Sequence, residues 1–394
     1  MRTTSILSLI CLLSARTAPA QATVPASVTG HVFLDRNGNG KRDAGEPGSR
    51  GVAVSNQDQV VLTGADGEYT LTGAGTGVVF VSVPDGFASK SWFARLSDTR
   101  SPIDFALTAA PAKATLTFIH ASDTHIAEAV LPRMTRFRAL VDSIKPDFVL
   151  VTGDLVKDAL RVGEAEATGY YDLFQRESAK ITQPLYTVPG NHENFGIERD
   201  LSKVKADHPL YGRAMYHKYR GPDYYSFNVG GVHFVGLNSV DIDDTRYYGH
   251  IDSTQLAWLQ RDLAVVPPNM PVVTFNHIPF YSSSEVVRGY TEAPPAPSII
   301  TVAGKSNFRH TVSNANDVLA RVKGHPYPVA LGGHIHAREL LRFEGIETRF
   351  EQTAAIVGPS GGFGGPLPSG ITVYRITGAK IDSGRFVPLN VPDR

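Results

Sequence analysis

The sequence predicts two folded units in tandem, a small all-β sandwich followed by a larger α/β domain. Residues 26–108 alternate apolar and polar side chains in short runs, which is typical of half-buried strands. From residue 115 onward, strand-like runs alternate with runs of helical periodicity, which is typical of βαβ units. A low-complexity stretch at residues 109–114 lies between the two patterns, and we expect it to act as a linker.

Length and charge set the first limits on function. The chain has 394 residues, enough for two or three domains, since domains usually contain about 100–200 residues. Its 38 basic and 38 acidic residues balance, so no global electric field recruits nucleic acid or an anionic membrane surface. Nothing in the sequence indicates an oligomeric state.

The first 22 residues predict a cleaved signal peptide. Arg2 precedes the apolar run Ile6–Leu13, and small residues around Ala20 provide a cleavage site. A buried N-terminal helix would not explain these flanks. The apolar run is shorter than the about 20 residues that cross a bilayer, and no later run is long and apolar enough. We therefore expect a secreted or periplasmic protein. Its only cysteine, Cys11, lies in this segment, so we expect any bound metal to have nitrogen and oxygen ligands.

The sandwich prediction rests on short alternating runs separated by turn signals. Asp66-Gly67 and Asp85-Gly86 mark two of the turns. The runs are Val28–Leu34, Gly51–Ser55, Tyr69–Thr72 and Val78–Val83. Their length and spacing predict a small antiparallel β-sandwich.

One loop of this sandwich matches the 12-residue template of calcium loops. Oxygen donors alternate along it, glycine stands sixth and glutamate twelfth. The candidate ligands are Asp35, Asn37, Asn39, Lys41, Asp43 and Glu46. The flanks are strand-like, so the loop resembles the calcium loops of bacterial surface β-sandwich repeats rather than an EF-hand. The same residues also favour a solvated Asn-Gly hairpin without a metal, and both alternatives stay open.

The α/β domain opens with alternating strands and helices. Strands are predicted at Leu116–His120, Asp147–Val151 and Leu185–Val188, and helices at Pro132–Ile144 and Glu164–Ala179. There follow a hairpin at Tyr224–Ser239, a helix from Ser253 as N-cap to Val265, and strands at Pro271–Phe275, Pro328–Leu331, Leu340–Phe343, Thr348–Gln352 and Ile371–Ile376. Residues 279–311 show no clear periodicity, and a loop this long is typically functional or disordered, so we interpret it as a candidate substrate lid.

Clusters of polar residues follow five of the predicted strands. They are Asp123 with His125, Asp154, Asn191 with His192, His277, and His334 with His336. Parallel strands share one carboxyl edge, so the first three clusters can converge there. Taken singly, Asp123 with His125 could be a helix cap, Asp154 part of a common turn and His277 an ordinary loop histidine. Taken together, the imidazoles and carboxylates suit two divalent transition metal ions, with zinc, manganese and iron all open.

In this order the clusters resemble the calcineurin-like metallophosphoesterases, whose pattern is D-x-H, G-D, G-N-H-[DE], a lone H and G-H-x-H. The resemblance covers about residues 115–345 and implies a four-layer αββα sandwich, with strands in residues 346–394 completing or flanking it. It assigns the first metal ion to Asp123, His125, Asp154 and His336. It assigns the second to Asp154 as a bridge, Asn191, His277 and His334. The β-sandwich resembles the small domain that precedes the catalytic domain in an exported bacterial branch of this family.

The expected function is the hydrolysis of a phosphomonoester or phosphodiester. Two cations lower the pKa of a bridging water, so that a hydroxide can attack phosphorus, and they also bind the phosphate oxygens. Asn191 and His192 are the candidate catalytic residues, and the resemblance implies that His192 binds phosphate and protonates the leaving group. Lys157 stands where purple acid phosphatases have a tyrosine, which argues against a tyrosinate-bound ferric ion. The alternative is a calcium-binding surface or adhesion protein with a vestigial phosphoesterase domain, but the complete ligand set argues against it.

Overall fold

A computed structural model of the chain describes residues 27–99, 101–111, 113–292, 297–362 and 365–391. The predicted signal peptide lies outside these described residues. No helix in the described ranges is both long and apolar enough to cross a membrane.

The N-terminal region is a sandwich of two four-stranded sheets. Its strands are β1 (Ser27–Leu34), β2 (Ala53–Ser55), β3 (Val60–Leu62), β4 (Glu68–Thr72), β5 (Val78–Val81), β6 (Phe87–Ala88), β7 (Phe93–Arg95) and β8 (Phe105–Ala109). One sheet has the order β4-β1-β8-β6 and the other β3-β2-β5-β7. The all-β prediction is confirmed. Its pairs are antiparallel except for β1 and β8, which run parallel, so the sandwich is not antiparallel throughout as predicted.

The first half of the α/β domain alternates strands and helices as predicted. Its elements are β9 (Thr115–Ala121), α1 (Leu131–Ile144), β10 (Phe148–Thr152), α2 (Glu164–Ser178), β11 (Leu185–Val188), α3 (Arg199–Ser202) and α4 (Arg213–Tyr219), with short 3-10 turns at Glu128–Val130 and Asn191–Glu193. Strands β9, β10 and β11 pair in parallel, so their carboxyl ends lie at one edge.

The second half contributes a second sheet and the last strands of the first. Its elements are β12 (Tyr225–Val229), β13 (Val232–Gly236), β14 (Val240–Asp243), β15 (Arg246–Gly249), α5 (Ser253–Leu263), β16 (Val272–Phe275), α6 (Ser284–Arg288), β17 (Ile299–Val302), β18 (Lys305–Phe308) and α7 (Ala315–Val322). After these come β19 (Val329–Gly332), β20 (Glu339–Leu341), β21 (Arg349–Gln352), β22 (Ser360–Gly362), β23 (Gly365–Leu367), β24 (Gly370–Thr377), β25 (Lys380–Ile381) and β26 (Arg385–Pro388).

Two six-stranded sheets face each other at the centre of this domain. The first has the order β11-β10-β9-β24-β25, with β26 paired to β24, and the second has the order β12-β13-β16-β19-β21-β20. Aromatic side chains fill the space between them, with Phe118 stacked on Phe148 from one sheet and Phe227 on Phe234 from the other. Helices α1 and α2 cover the outer face of the first sheet, and α5 packs beside α7. The predicted four-layer αββα sandwich is confirmed.

The C-terminal strands β24, β25 and β26 belong to the first sheet. Strand β24 pairs antiparallel with β9 from Thr372 opposite His120 to Thr377 opposite Thr115. Because β9 carries the first pair of site residues at its carboxyl end, β24 supports the site from the interior of the sheet.

Two local predictions differ from the structure. The N-cap of α5 is Asp252 rather than Ser253, since the Asp252 carboxylate accepts a hydrogen bond from the Gln255 amide at 2.9 Å. Residues 279–311 are not irregular throughout, because α6 and the β17–β18 hairpin lie within them. In both cases the hydrogen bonds that define the element are only weakly indicated by the residues around it.

Candidate metal centre

The two sheets bring all of the metal-ligand candidates to one place. Those of the first sheet follow β9, β10 and β11, and those of the second follow β16 and β19, which are also parallel. The ligand atoms fall into two groups within which all atoms lie within 4.8 Å of one another. The groups are Asp123, His125, Asp154 and His336, and Asp154, His277 and His334. The shared member, Asp154, is the residue that the family pattern assigns as the bridge.

The first group is built from imidazole and carboxylate atoms that face one another. His336 Nε2 lies 3.1 Å from Asp123 Oδ1, and His125 Nε2 lies 3.4 Å from Asp154 Oδ2. The two imidazole nitrogens Nε2 of His125 and His336 are 3.2 Å apart. The carboxylates are buried and the imidazoles are partly exposed, so this group opens to solvent on its histidine side.

The second group includes an amide oxygen as well as imidazoles. His277 Nε2 lies 3.3 Å from Asp154 Oδ2 and 3.2 Å from Asn191 Oδ1. His334 Nδ1 lies 3.1 Å from the same His277 nitrogen. The opposite nitrogen of His277, Nδ1, lies 2.8 Å from the main-chain oxygen of Thr152, which fixes the ring orientation.

The backbone is strained where these side chains emerge. Five of the candidates have positive φ, an uncommon conformation for residues other than glycine, namely Asp123 (54°), His125 (38°), Asp154 (49°), His334 (68°) and His336 (58°). Such strain persists only where the surrounding structure holds it, and it is concentrated at functional sites. Here it turns successive side chains toward a common point.

The glycine of each motif is required by close packing of the loops. A Cβ on Gly190 would lie 2.2 Å from Asp154 Oδ1, and one on Gly333 would lie 1.9 Å from Ser122 Oγ and 3.0 Å from Asp123 Oδ2. A side chain at either position would therefore displace a carboxylate of the centre or its neighbour. The glycines in G-N-H and G-H-x-H let the loops approach to this distance.

Glu193 joins two of the loops, whereas its place in the sequence left open either a supporting hydrogen bond near the centre or a plain surface carboxylate. Its buried carboxylate accepts hydrogen bonds from the backbone amides of Asp154, Leu155, Val156 and Gly190, at 2.6–3.1 Å. Burial beside Asp154 raises the pKa of Glu193 to about 7, and the amide donors oppose this rise. The only sequence signal was its place directly after His192. Its carboxylate holds the loop after β10 against the loop after β11, and so positions Asp154.

His192 lies beside both groups rather than within them. Its Nε2 is 3.9 Å from Asp154 Oδ2, its Nδ1 is 3.7 Å from Asp158 Oδ1, and its ring packs edge-to-face on His125. Its backbone amide donates to Asp154 Oδ1 at 3.1 Å. This placement suits a group that contacts substrate at the edge of the centre.

The electrostatics of the edge favour cations. Burial opposes ionisation of Asp123 and Asp154, but the facing histidines outweigh it and hold both pKa values well below the usual range. In return, and against their own burial, His125 and His277 have pKa values raised to about 9 by these carboxylates. Positive charge is thus stabilised where the ligand atoms converge. Buried carboxylate, imidazole and amide oxygen donors fit divalent transition metal ions, and the fold of this family implies such ions.

The candidate calcium loop of the sandwich bonds to its own backbone. Asp35 accepts hydrogen bonds from the amides of Gly38 and Gly40, and Glu46 accepts them from Arg36 and Asp43. Asn37 and Asn39 both donate to Asp43, and the Lys41 amide donates to Asn39. Calcium binding at this loop stays a prediction.

The chain is similar to known phosphodiesterases in sequence and to a dimetal phosphatase in structure. A "Probable cyclic nucleotide phosphodiesterase" of Rhodococcus erythropolis is 25% identical over 58% of this chain and 67% of its own length. A 3',5'-cyclic-nucleotide phosphodiesterase of Nostoc is 25% identical over 55% of this chain and 63% of its own length. The match thus spans about two thirds of these curated relatives. The structure is also similar to that of a dimetal phosphatase from Danio rerio. The similarity covers 66% of this chain and 92% of the phosphatase chain, with 14% sequence identity and a TM-score of 0.43.

The family assignment rests on the central part of the chain. The family model of the calcineurin-like phosphoesterases matches residues 116–338, more than half of the 394 residues. This range includes every metal-ligand candidate, from Asp123 to His336. The chain therefore belongs to the calcineurin-like phosphoesterase family.

Proposed function

We propose that this protein hydrolyses phosphate esters at a dinuclear metal centre and that its substrates are phosphodiesters. The observation that carries the proposal is the convergence of two ligand groups on Asp154, with His192 beside them. A centre of two cations about 3.5–4 Å apart suits in-line displacement at phosphorus.

The side chains of the centre have distinct parts in this proposal. The first ion would be held by Asp123, His125, Asp154 and His336, and the second by Asp154, Asn191, His277 and His334. When bound, the two ions would supply a water of lowered pKa and positive charge for the phosphate oxygens. Asn191 contributes a neutral oxygen and so leaves the net positive charge for substrate.

His192 acts on the other side of the phosphorus in this proposal. As the P–O bond of the ester breaks, the departing oxygen needs a proton, and an imidazole can donate one near neutral pH. His192 Nε2 faces the centre, and Asp158 lies next to Nδ1 on the far side of the ring. At 3.7 Å Asp158 makes no hydrogen bond to the ring, but its negative charge would favour the protonated imidazole that donates to the leaving group.

The preference for diesters is supported by the relatives. Both curated relatives described above are named as cyclic nucleotide phosphodiesterases.

Two experiments test the proposal. Asp154→Ala and His336→Ala should each abolish turnover of bis-aryl phosphodiesters and lower the metal content, while circular dichroism stays as in the wild type. Retained turnover would contradict the assignment, as would a wild-type protein without transition metal, the result expected of a vestigial domain. The rates on a bis-aryl phosphodiester and on an aryl phosphomonoester, measured with zinc, manganese and iron in turn, decide the substrate class, and a faster monoester reaction would overturn the diester preference.

We also propose that the protein acts outside the cytoplasm after removal of residues 1–22. The support is the order of charged, apolar and small residues in that segment. Cell fractionation with N-terminal sequencing of the product tests this, and an uncleaved cytoplasmic protein would contradict it.

A further inference from the structure

The 279–311 segment brings a histidine onto the far side of a metal-ligand candidate. His310 follows the β17–β18 hairpin, and its Nδ1 lies 2.7 Å from Nε2 of His334. The other nitrogen of His334, Nδ1, faces the second ligand group at 3.1 Å from His277 Nε2. The two nitrogens of His334 therefore point in opposite directions, one to the centre and one to His310.

This geometry fixes which nitrogen of each ring carries the hydrogen. A nitrogen that binds a metal ion must present a lone pair, so a His334 that binds through Nδ1 carries its hydrogen on Nε2. That Nε2–H can only donate, and the atom facing it is Nδ1 of His310. His310 must then accept at Nδ1 and carry its own hydrogen on Nε2.

A carboxylate lies near the other nitrogen of His310, beyond hydrogen-bond distance. Glu285, in the first turn of α6, places Oε1 3.7 Å from His310 Nε2. The start of α6 is held by Glu339, which accepts hydrogen bonds from Ser282 Oγ and the Ser283 amide at 2.7 Å each. In the contacts described above, His310 thus accepts a hydrogen bond from His334, and Glu285 adds a negative charge near its Nε2.

The rings of His310 and His334 are also held by packing. His310 lies nearly parallel to His334, with ring centroids 5.0 Å apart. Tyr247 contacts both rings edge-on, and the Arg309 guanidinium covers the Tyr247 ring at 4.2 Å. The arrangement therefore has little freedom to present another nitrogen to the centre.

We propose that His310 is a positioning residue for the second metal ion, because it fixes the tautomer and orientation of His334, and that the negative charge of Glu285 favours the His310 tautomer with its hydrogen on Nε2. The inference rests on the proposed function, since it assumes that His334 binds a metal ion. Partners of metal-ligating histidines are commonly carboxylates or main-chain carbonyls, and their loss weakens metal binding about 10–100-fold. Here a second imidazole occupies that position.

The test measures metal binding directly and needs no substrate. Protein stripped by a chelator is titrated with Zn²⁺ alone by calorimetry, and the two sites are resolved by competition with a chelator of known affinity. His310→Ala should weaken the second site at least about tenfold and leave the first unchanged. His310→Asn should restore most of the affinity, because its Oδ1 can accept in place of Nδ1. Glu285→Gln should weaken the same site by less than His310→Ala does.

A matched control separates this effect from a general one. His31 pairs with Asp104 in the N-terminal sandwich at 3.4 Å, and His31→Ala should bind both ions as the wild type does. Wild-type affinity in His310→Ala, or equal losses in His310→Ala and His310→Asn, would overturn the inference alone. A wild-type protein that binds fewer than two ions would overturn the proposed function and this inference with it.

Discussion

At the scale of residues, the candidate site consists of side chains that bind and side chains that hold them. Asp123, Asp154 and the facing histidines converge, while Glu193 and the motif glycines set the distance between their loops. The binding residues are ordinary metal ligands, and their strained backbone is tolerated because hydrogen bonds from neighbouring loops hold it. Loss of a binding residue and loss of a holding residue should therefore have different consequences.

His192→Ala tests the division of labour within the Asn191-His192-Glu193 turn. The variant should keep both metal ions, because His192 lies outside both ligand groups, while kcat falls about 10²–10⁴-fold through loss of the proton donor. Metal content and kcat are measured together. The surface variant His208→Ala, which removes a partner of Glu164, should change neither. Loss of metal from His192→Ala would contradict the division.

Glu193→Ala tests the connection between the loops. Four buried backbone amides would lose their acceptor, and each unsatisfied donor costs about 1–3 kcal/mol, so the free energy of unfolding should fall by more than about 3 kcal/mol. Urea unfolding of metal-free protein measures this without any contribution from metal binding. Glu193→Gln keeps one acceptor oxygen, so its free energy of unfolding should lie between those of the wild type and Glu193→Ala. A loss no larger than that of the exposed Glu164→Ala control would contradict the role.

At the scale of elements, the site depends on where strands and helices end. Strands β9, β10, β11, β16 and β19 stop at their carboxyl ends beside one another, and the turns that follow carry the ligands. The segment between β16 and α7 adds α6 and a hairpin over the second ligand group. These boundaries come from hydrogen bonds at the ends of elements.

The N-cap of α5 is a boundary that can be tested. Asp252→Ala removes the acceptor of the Gln255 amide and should lower the free energy of unfolding by about 0.5–2 kcal/mol. Asp252 also pairs with Arg213 at 3.0 Å, so Asp252→Asn, which keeps the cap and removes the charge, is the matched control. Equal losses in the two variants would assign the effect to the ion pair instead of the cap.

At the scale of the whole molecule, the sandwich and the α/β domain share one buried apolar cluster. Phe80 of the sandwich packs on Trp258 of α5, and the Trp258 indole donates to Ser55 Oγ. The Asp85 carboxylate accepts hydrogen bonds from the amides of Gly230 and Gly231, so a predicted turn of one domain caps a predicted hairpin of the other. The linker joins two units that pack closely, and we expect them to unfold in one transition.

Acid should lower the free energy of unfolding of the two packed domains, because it protonates Asp223. Gln57 of the sandwich and Asn238 donate hydrogen bonds to its buried carboxylate, and His217 lies 2.9 Å away. Burial opposes its ionisation, but His217, Arg213 and Asn238 hold its pKa below the ordinary value of 3.8. A lowered folded-state pKa means that the stabilisation is complete above about pH 5 and is lost progressively as the pH falls below that value.

The variant Asp223→Asn tests whether stability falls with pH because of Asp223. At pH 7 the variant should be less stable by about 1.5–3 kcal/mol, the usual worth of hydrogen bonds to a charged group. Between pH 5 and about pH 3 its stability should fall less steeply than that of the wild type. Urea unfolding across this range measures both effects. Exposed Asp142→Asn is the control and should follow the wild-type profile, and a variant slope as steep as that of the wild type would contradict the assignment.

The sequence by itself determined the fold class and the ligand set. Periodicity of two or of about 3.6 reports which face of a strand or helix is buried, so β9, α1, β10, α2 and β11 were predictable within a few residues. The order of D-x-H, G-D, G-N-H-E, H and G-H-x-H pointed to the residues that the structure brings together at one edge.

Only the tertiary structure decided the parts that depend on contacts between distant segments. Glu193 accepts hydrogen bonds from amides almost 40 residues away in sequence. His310 contacts His334 from the segment that follows β18, and β24 pairs with β9 from the far end of the chain. The periodicity of neighbouring residues does not indicate such contacts, because a contact with a distant segment imposes no pattern on the residues next to it in sequence. The sequence therefore identified the groups that bind, and the structure identified the groups that hold them.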